Sequence, residues 1–577
     1  MLRFVRFILF FSIGVNACAP VPSLWGQYAS PTPVQESAAS SYPVTPGAVL
    51  ESPGTAAGLS VFTPMDLREA TSEPSPTTVS SPAPSATATS APPASPTPSA
   101  LITPSAATTP HDPATLQADP AAGLDAMPEA AITMPTFDVP PVFYTAQSGD
   151  SLQAVASRFG IDPSEIRAEL DLPESGFVPP GTLLILPNRL SGPTSPSNKL
   201  LPDSEVVFSA TAIDFDIDAY IQSAGGLLST HREYLGSTGW NTGPDEIRRL
   251  TFENSINPRL LLALLEYESR WVRGDSVDVM HRDYPMGYVN PFYKGLFLQL
   301  LWTVNQLSTA YYGWRAGTLT ELQFPDGTKL RLDPQLNAGT VAMQYLFSRQ
   351  HGQSEWARMI DPGNGFLALY ADMFGDPWVR AETVDPVLPP GLVQPALEFP
   401  FEPDVAWSYS GGPHGAWEHD GALAAIDFAP FTDHGGCDPT PTWVTAAASG
   451  MVVRAERGVV VQDLDGDGFE QTGWALVYLH IASSDRVKAG TYLQRDDRIG
   501  HASCEGGQTT GTHLHFVRKY NGEWIAADGP IPFILSGWAA RAGSLPYQGT
   551  LVNGQRVVTA DPNGQWISTI VRSPDDD

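Results

Sequence analysis

Between Ala19 and about Pro140 this 577-residue chain is dominated by Pro, Ser, Thr and Ala, and residues 63–136 contain no Phe, Tyr or Trp. Such a stretch has too little apolar surface to offset the entropy of ordering it. Residues 19–141 are therefore read as a disordered tether, and every folded domain must lie beyond it. As a flexible coil the tether would span on the order of 60 Å, and more where proline stiffens it. Ahead of it, Arg3 and Arg6 precede an apolar run from Phe7 to Val15. That run is too short to span a bilayer and reads as part of an export signal, residues 1–18.

Two endings of that signal stay open. Cleavage after Ala17 would release a secreted protein, whereas Val15-Asn16-Ala17-Cys18 resembles a bacterial lipobox and would make Cys18 a lipidated N-terminus. Such an anchor is the one route to a membrane that the sequence offers. The balance of 62 acidic against 32 basic side chains, a net charge of −30, excludes a nucleic-acid partner, whose phosphates demand basic patches. It fits a soluble protein working outside the cytoplasm. Of three cysteines, Cys437 and Cys504 remain once Cys18 is set aside. In an oxidising compartment they would form a disulfide; two free thiols are the alternative.

Residues 142–190 form a self-contained pattern. Val142-Phe143-Tyr144-Thr145 reads as a strand, and Leu152, Val155, Ala156 and Phe159 share one face of a helix capped by Asp150. Asp162-Pro163-Ser164-Glu165 carries the signals of a second helix start, and Leu183 to Leu186 reads as a closing strand. This βααβ unit resembles the LysM module. The resemblance implies binding to N-acetylglucosamine-containing glycans through Gly149, Asp150 and Ser151, although Leu170 stands where that family usually has asparagine. A Ser/Pro linker, 191–203, follows.

Residues 206–385 read as helical. Leu261, Leu264, Leu265 and Glu268 fall on one helix face after Asn257-Pro258, while Glu266 is expected to pair with Arg270 one turn on. The run from Leu260 to Ser269 resembles the catalytic helix of lysozyme-like lytic transglycosylases, which implies a general acid at Glu268; Gly295-Leu296-Phe297-Leu298-Gln299 loosely echoes their second motif. A structural Glu268, bonded inside a helical core, is the equal alternative.

Residues 395–545 read as β-rich, with strands at 443–454, 458–463, 473–481 and 511–518. In Thr512-His513-Leu514-His515-Phe516 the two histidines face one side of a strand while Leu514 and Phe516 face a core. His414, Asp427 and His480 end or occupy neighbouring elements. Two neutral imidazoles and one carboxylate are a catalytic zinc set, with a fourth tetrahedral position left for water. The ordered set resembles the beta-lytic branch of the lysostaphin-like zinc endopeptidases, including the thirteen-residue step from His414 to Asp427. That resemblance implies zinc on His414, Asp427 and His515, with His513 as general base and His480 steadying the transition state. His419, His434 and His501 read as solvated loop residues. Asp463, Asp465 and Asp467 look like half of a calcium loop, with an acidic hairpin turn as the favoured alternative. Residues 546–577 form a C-terminal extension without an assignable role.

The expected fold class is thus multidomain α+β: disordered tether, LysM module, lysozyme-like helical domain and antiparallel metallopeptidase domain. The expected function is an exported, zinc-dependent endopeptidase acting on peptidoglycan. The alternatives are a wall-binding scaffold that activates other hydrolases, and a bifunctional enzyme that also cuts glycan strands through Glu268.

Overall fold

The computed structural model describes residues 139–274, 278–417, 419, 421–432 and 435–573. The expected export signal, Cys18 and nearly all of the expected tether lie outside them. Among the described residues no helix is long and apolar enough to cross a membrane.

The N-terminal module opens with the strand Val142–Thr145 and the helix Leu152–Phe159, capped not by Asp150, which pairs with Arg158, but by the Ser151 hydroxyl at one end and by left-handed Gly160 at the other. Val155, Ala156 and Phe159 turn inward to pack with Tyr144, Leu184 and Leu186. The second helix of the expected βααβ unit is a single 3-10 turn, Pro163–Glu165. Its capping box does form between Asp162 and Glu165. The turn then stops because Ile166 goes extended to be buried in the module's core, and Arg167–Ala168 joins the sheet beside Leu183–Leu186.

The stretch expected to be a free linker is packed. Ser195 N–H donates to the Arg331 carbonyl, and Leu200 and Leu201 are buried in the helical core. That core is built by the helices Gly243–Asn254, Pro258–Ser269, Leu296–Ala316, Ala338–Gln350 and Phe366–Phe374. In Pro258–Ser269 the start signals act as read: the Asn257 side chain caps the first turn and Pro258 occupies a position whose N–H needs no partner. Leu260 through Leu265 are fully buried on all sides, so the helix runs through the middle of the bundle rather than over its surface.

The C-terminal part is a large antiparallel sheet. Its strands run, edge to edge, Tyr492–Leu493, Gly450–Glu456, Val459–Asp463, Trp474–Leu479, Leu514–Tyr520, Ala425–Pro430, Ala406–His414 and Thr569–Val571. The strand expected over 443–454 is two: Trp443–Thr445 leaves to pair with Arg498–His501, and Gly450–Glu456 joins the large sheet. The C-terminal extension is part of this architecture. Gly549–Asn553 and Arg556–Thr559 form the hairpin, and Thr569–Val571 pairs with Ala406–Ser408 on the strand that ends at His414. Alternation sorts the central strands: Leu476, Tyr478, Leu514, Phe516, Ile426 and Phe428 enter one core, while Val477, Leu479, Val517 and Ala425 face the other side.

One buried cation joins the three regions. Arg315, near the end of the long helix Leu296–Ala316, donates from Nε to Glu523 Oε1 at 2.8 Å and from Nη2 to Asp203 Oδ2 at 2.9 Å. Its Nη1 reaches the Ser148 carbonyl of the N-terminal module. Glu523 belongs to the short strand that closes the hairpin after Leu514–Tyr520, and also accepts from the Tyr311 hydroxyl at 2.8 Å. Asp203 caps the Ala338–Gln350 helix through Gly339 N–H. Arg315→Ala would leave two buried carboxylates without their counter-charge. The expected loss is about 3–5 kcal/mol of stability, read as a lower urea midpoint in equilibrium unfolding.

Candidate metal centre

The register of the large sheet assembles the site. Gly411 lies opposite Asp427, Asp427 opposite His515, and His515 opposite Leu479, so one row crosses four strands. His515 and Asp427 alternate with core residues and therefore emerge on the same face. His414, at the end of its strand, reaches them across a pair of register shifts.

His414 Nε2 and His515 Nδ1 are 3.0 Å apart, and each lies 3.3 Å from Asp427 Oδ1. A tetrahedral zinc with ligand bonds of about 2.0–2.2 Å separates its donors by roughly 3.3–3.5 Å, close to this triangle. The outer nitrogens settle the tautomers. His414 Nδ1 is 2.8 Å from the Gly412 carbonyl and His515 Nε2 is 2.9 Å from the Ala416 carbonyl, contacts that require N–H at those positions. The two facing nitrogens are then both lone pairs, and Asp427 Oδ1 is buried without a hydrogen-bond donor. Three acceptors converging in a dry space repel one another unless a cation lies between them, so the donor set fits a zinc-class ion.

The electrostatics agree with that. Burial raises the Asp427 carboxyl, but the imidazoles of His414 and His513 outweigh it and hold the group well below the usual carboxylate range. Burial also lowers His515. Asp427 is thereby held in the ionised form that a metal needs, and burial disfavours the charged form of His515.

His513 and His480 stand beside this triangle with ring centroids 4.6 Å apart. His513 Nδ1 contacts the Gly511 carbonyl at 2.8 Å and Thr509 Oγ1 at 3.1 Å, leaving Nε2 as an acceptor 3.8 Å from Asp427 Oδ1. His480 Nδ1 contacts the Glu505 carbonyl at 2.8 Å, so its Nε2 is an acceptor too. Burial, then His513 and His515, pull the His480 imidazole down to about 3. His480 also adopts a left-handed backbone (φ 66°), an uncommon conformation for histidine that turns the chain at the end of Trp474–Leu479.

Two positions of the site escaped the sequence reading. A Cβ on Gly411 would come within 2.6 Å of Asp427 Oδ2, so only glycine gives that carboxylate room. Tyr547, in the C-terminal extension, stacks on His414 with centroids 4.1 Å apart and planes at 20°. The glycine pair before Pro413-His414 was a signal for the first; nothing local marked the second.

Other expected sites separate from this one. Cys437 and Cys504 are joined by a disulfide, with Cα atoms 5.6 Å apart. Gly149, Asp150 and Ser151 do not form an open sugar edge. Asp150 is buried against Arg158 at 2.6 Å and accepts from Tyr144, Ser151 caps a helix, and a Cβ on Gly149 would strike Arg315. Asp463, Asp465 and Asp467 bring ligand atoms within 4.8 Å of one another in the acidic turn that was the favoured reading. Asp463 accepts from the N–H groups of Asp465, Gly466 and Gly468, and nearby Glu470 is held by Arg454 and Lys519. His501 is not a loop residue but lies in a strand against Trp443, while His434 falls outside the described residues. Glu266 makes no pair with Arg270; its Oε2 accepts from the N–H groups of Val272 and Arg273. Glu268 lies in the helical region with its Oε2 facing Gly287, and burial, then the charge of Glu355, raises its carboxyl to about 8.

Comparison with known proteins accords with this centre. Residues 433–527 match the Peptidase family M23 model, and residues 199–387 match that of the LasA N-terminal domain, which spans the region likened above to lysozyme. Protease LasA of Pseudomonas aeruginosa is 24% identical over 349 residues, covering 57% of this chain and 75% of that protein. Beta-lytic metalloendopeptidase of Lysobacter enzymogenes is 25% identical over 152 residues, 26% of this chain and 82% of that one. Among solved structures, the deep-sea M23 metalloprotease pseudoalterin aligns with a TM-score of 0.25 at 22% identity, over 31% of this chain and 100% of its own. The strand that carries His515 lies within the region matched to Peptidase family M23, so this chain carries an M23-like metallopeptidase domain.

Proposed function

We propose that the protein is an exported cell-wall hydrolase whose M23 domain, with zinc on His414, Asp427 and His515, cleaves peptide bonds of peptidoglycan. The convergence of three buried acceptor atoms at 3.0–3.3 Å carries the metal reading. The export signal at residues 1–18 and the acidic composition support work outside the cytoplasm. When bound, zinc supplies a Lewis acid that polarises a carbonyl and acidifies water. The chain's own groups do the rest. His513, its Nδ1–H held by Gly511 and Thr509, presents the bare Nε2 of a general base to the proton of the attacking water. His480, held by the Glu505 carbonyl, presents a second bare nitrogen and can donate to a tetrahedral oxyanion only after taking up a proton. Tyr547 holds the plane of the His414 ring and Gly411 the position of the Asp427 carboxylate.

A second reading, cleavage of glycan strands through Glu268, is favoured by one observation. A carboxyl raised to about 8 stays protonated at neutral pH, as a general acid requires. Against it stands the purely structural role that the same burial would serve.

His515→Ala is expected to bind one zinc equivalent fewer than metal-stripped and reconstituted wild type, as measured by elemental analysis; full retention of the wild-type content would refute the ligand set. His513→Ala and His480→Ala are expected to keep that zinc yet slow peptide cleavage by roughly 10²–10⁴-fold. Digestion of purified peptidoglycan, analysed by mass spectrometry, separates the two readings. New amino termini that disappear with chelator indicate the peptidase. New sugar ends that persist in chelator and vanish in Glu268→Gln indicate the glycan activity, and their absence from wild type removes it.

A further inference from the structure

The helical region contains a second convergence of metal-ligand side chains, remote in sequence from the M23 set. His231 and Glu233 stand at the start of the strand Arg232–Leu235, and Glu246 lies in the helix Gly243–Asn254. One ligand atom from each falls within 4.8 Å of the other two. His231 Nε2 is 3.6 Å from Glu233 Oε2, too long for a hydrogen bond.

What distinguishes this cluster from an ordinary acidic patch is its unmet demand. Glu246 is 0% exposed, and neither of its carboxyl oxygens has a hydrogen-bond partner. His231 Nε2 is buried and equally unpartnered. Buried polar atoms are almost always satisfied, and three orphans in one small space call for a common partner.

The surroundings position the ligands. Glu233 Oε2 accepts from Leu296 N–H at 2.9 Å, which ties it to the N-terminus of the 21-residue helix Leu296–Ala316. The His231 ring is held edge-on to Trp271, with centroids 4.9 Å apart. The His231 and Glu233 side chains are each 20% exposed, which leaves an entry path and room for water in a remaining coordination position. One imidazole with two carboxylates suits zinc and its neighbours, whereas calcium and magnesium take all-oxygen sets.

We propose that His231, Glu233 and Glu246 bind a zinc-class divalent cation as a second, structural site that joins the Arg232–Leu235 strand, the Gly243–Asn254 helix and the start of the long helix. This assignment is independent of the M23 centre. In the metal-free protein, burial and then the charges of Glu233 and Asp245 raise Glu246 to about 9, so a proton is the ion's competitor and is released when the metal binds.

The test uses the full chain carrying His414→Ala and His515→Ala, so that the M23 ligands are gone. After metal stripping and equilibration with zinc alone, one ion per chain is expected, and cobalt in its place should give visible ligand-field bands. Adding Glu246→Gln should weaken that zinc by at least about 10-fold, the scale of removing a metal-site partner. Because Glu246 is buried, His231→Gln at the partly exposed edge provides the same readout without a core change, and circular dichroism identifies the folded variants. Absence of zinc from the double variant would overturn the proposal. So would zinc that persists unchanged in both the Glu246→Gln and His231→Gln forms.

Discussion

The arrangement of the folded regions depends on one guanidinium. Arg315 is nearly enclosed, yet it satisfies Glu523 of the peptidase sheet, Asp203 at the entrance to the helical core and the Ser148 carbonyl of the N-terminal module. A planar fork with five donors can serve three regions at once, which an ammonium cannot. Removing it from water is costly, and the compensation comes from charge-assisted hydrogen bonds made to groups that are themselves buried. Gly149 takes part by having no side chain: with φ at +76° it brings the module against Arg315 where a Cβ would collide. The region read as a free-standing glycan module is consequently seated on the helical region, with Gly149 of its expected sugar edge against Arg315.

The helical region and the peptidase sheet are joined by further contacts around the same hairpin. Ser255 Oγ donates to the Gly522 carbonyl, Trp524 Nε1 to the Asn254 carbonyl, and the Tyr312 hydroxyl accepts from Trp524 N–H. The strand that leads into this hairpin, Leu514–Tyr520, also carries His515. The metal centre and the interdomain contact thus occupy opposite ends of one rigid element. That is a physical reason for the two matched regions to occur in one chain: the helical region braces the strand that presents a ligand.

Within the centre, legibility followed range. The two-residue step between His513 and His515 needs only strand geometry to place both rings on one face, and it was readable. Membership of His414, Asp427 and His480 came from resemblance, because no local rule connects His515 with residues that a sheet brings to it from 35 to 101 positions away. The tautomers, and with them the conclusion that the facing nitrogens are both lone pairs, rest on the Gly412 and Ala416 carbonyls and required coordinates. Tyr547 was invisible for the same reason, since its stacking on His414 depends on the C-terminal segment folding back. The acidic run at Asp463 left two readings open: its carboxylates cap their own turn, the favoured one, a use that composition does not distinguish from ion binding.

What the amino-acid order determined by itself was whatever nearest neighbours decide: the caps of Pro258–Ser269, the alternation along Leu514–Tyr520, and the acidic surface. It also marked which residue types were present for chemistry. The tertiary structure alone decided how those residues are spent. Glu268 and Glu266 lie two positions apart on one helix, yet one carboxyl is raised by burial and the other accepts two backbone N–H groups. Ile166 ended an expected helix because the core had a place for it. Glu246 carried no motif, and its interest arises only from being buried opposite His231 and Glu233 without a partner. Desolvation and long-range pairing set these outcomes, and neither is a property of a local stretch of sequence.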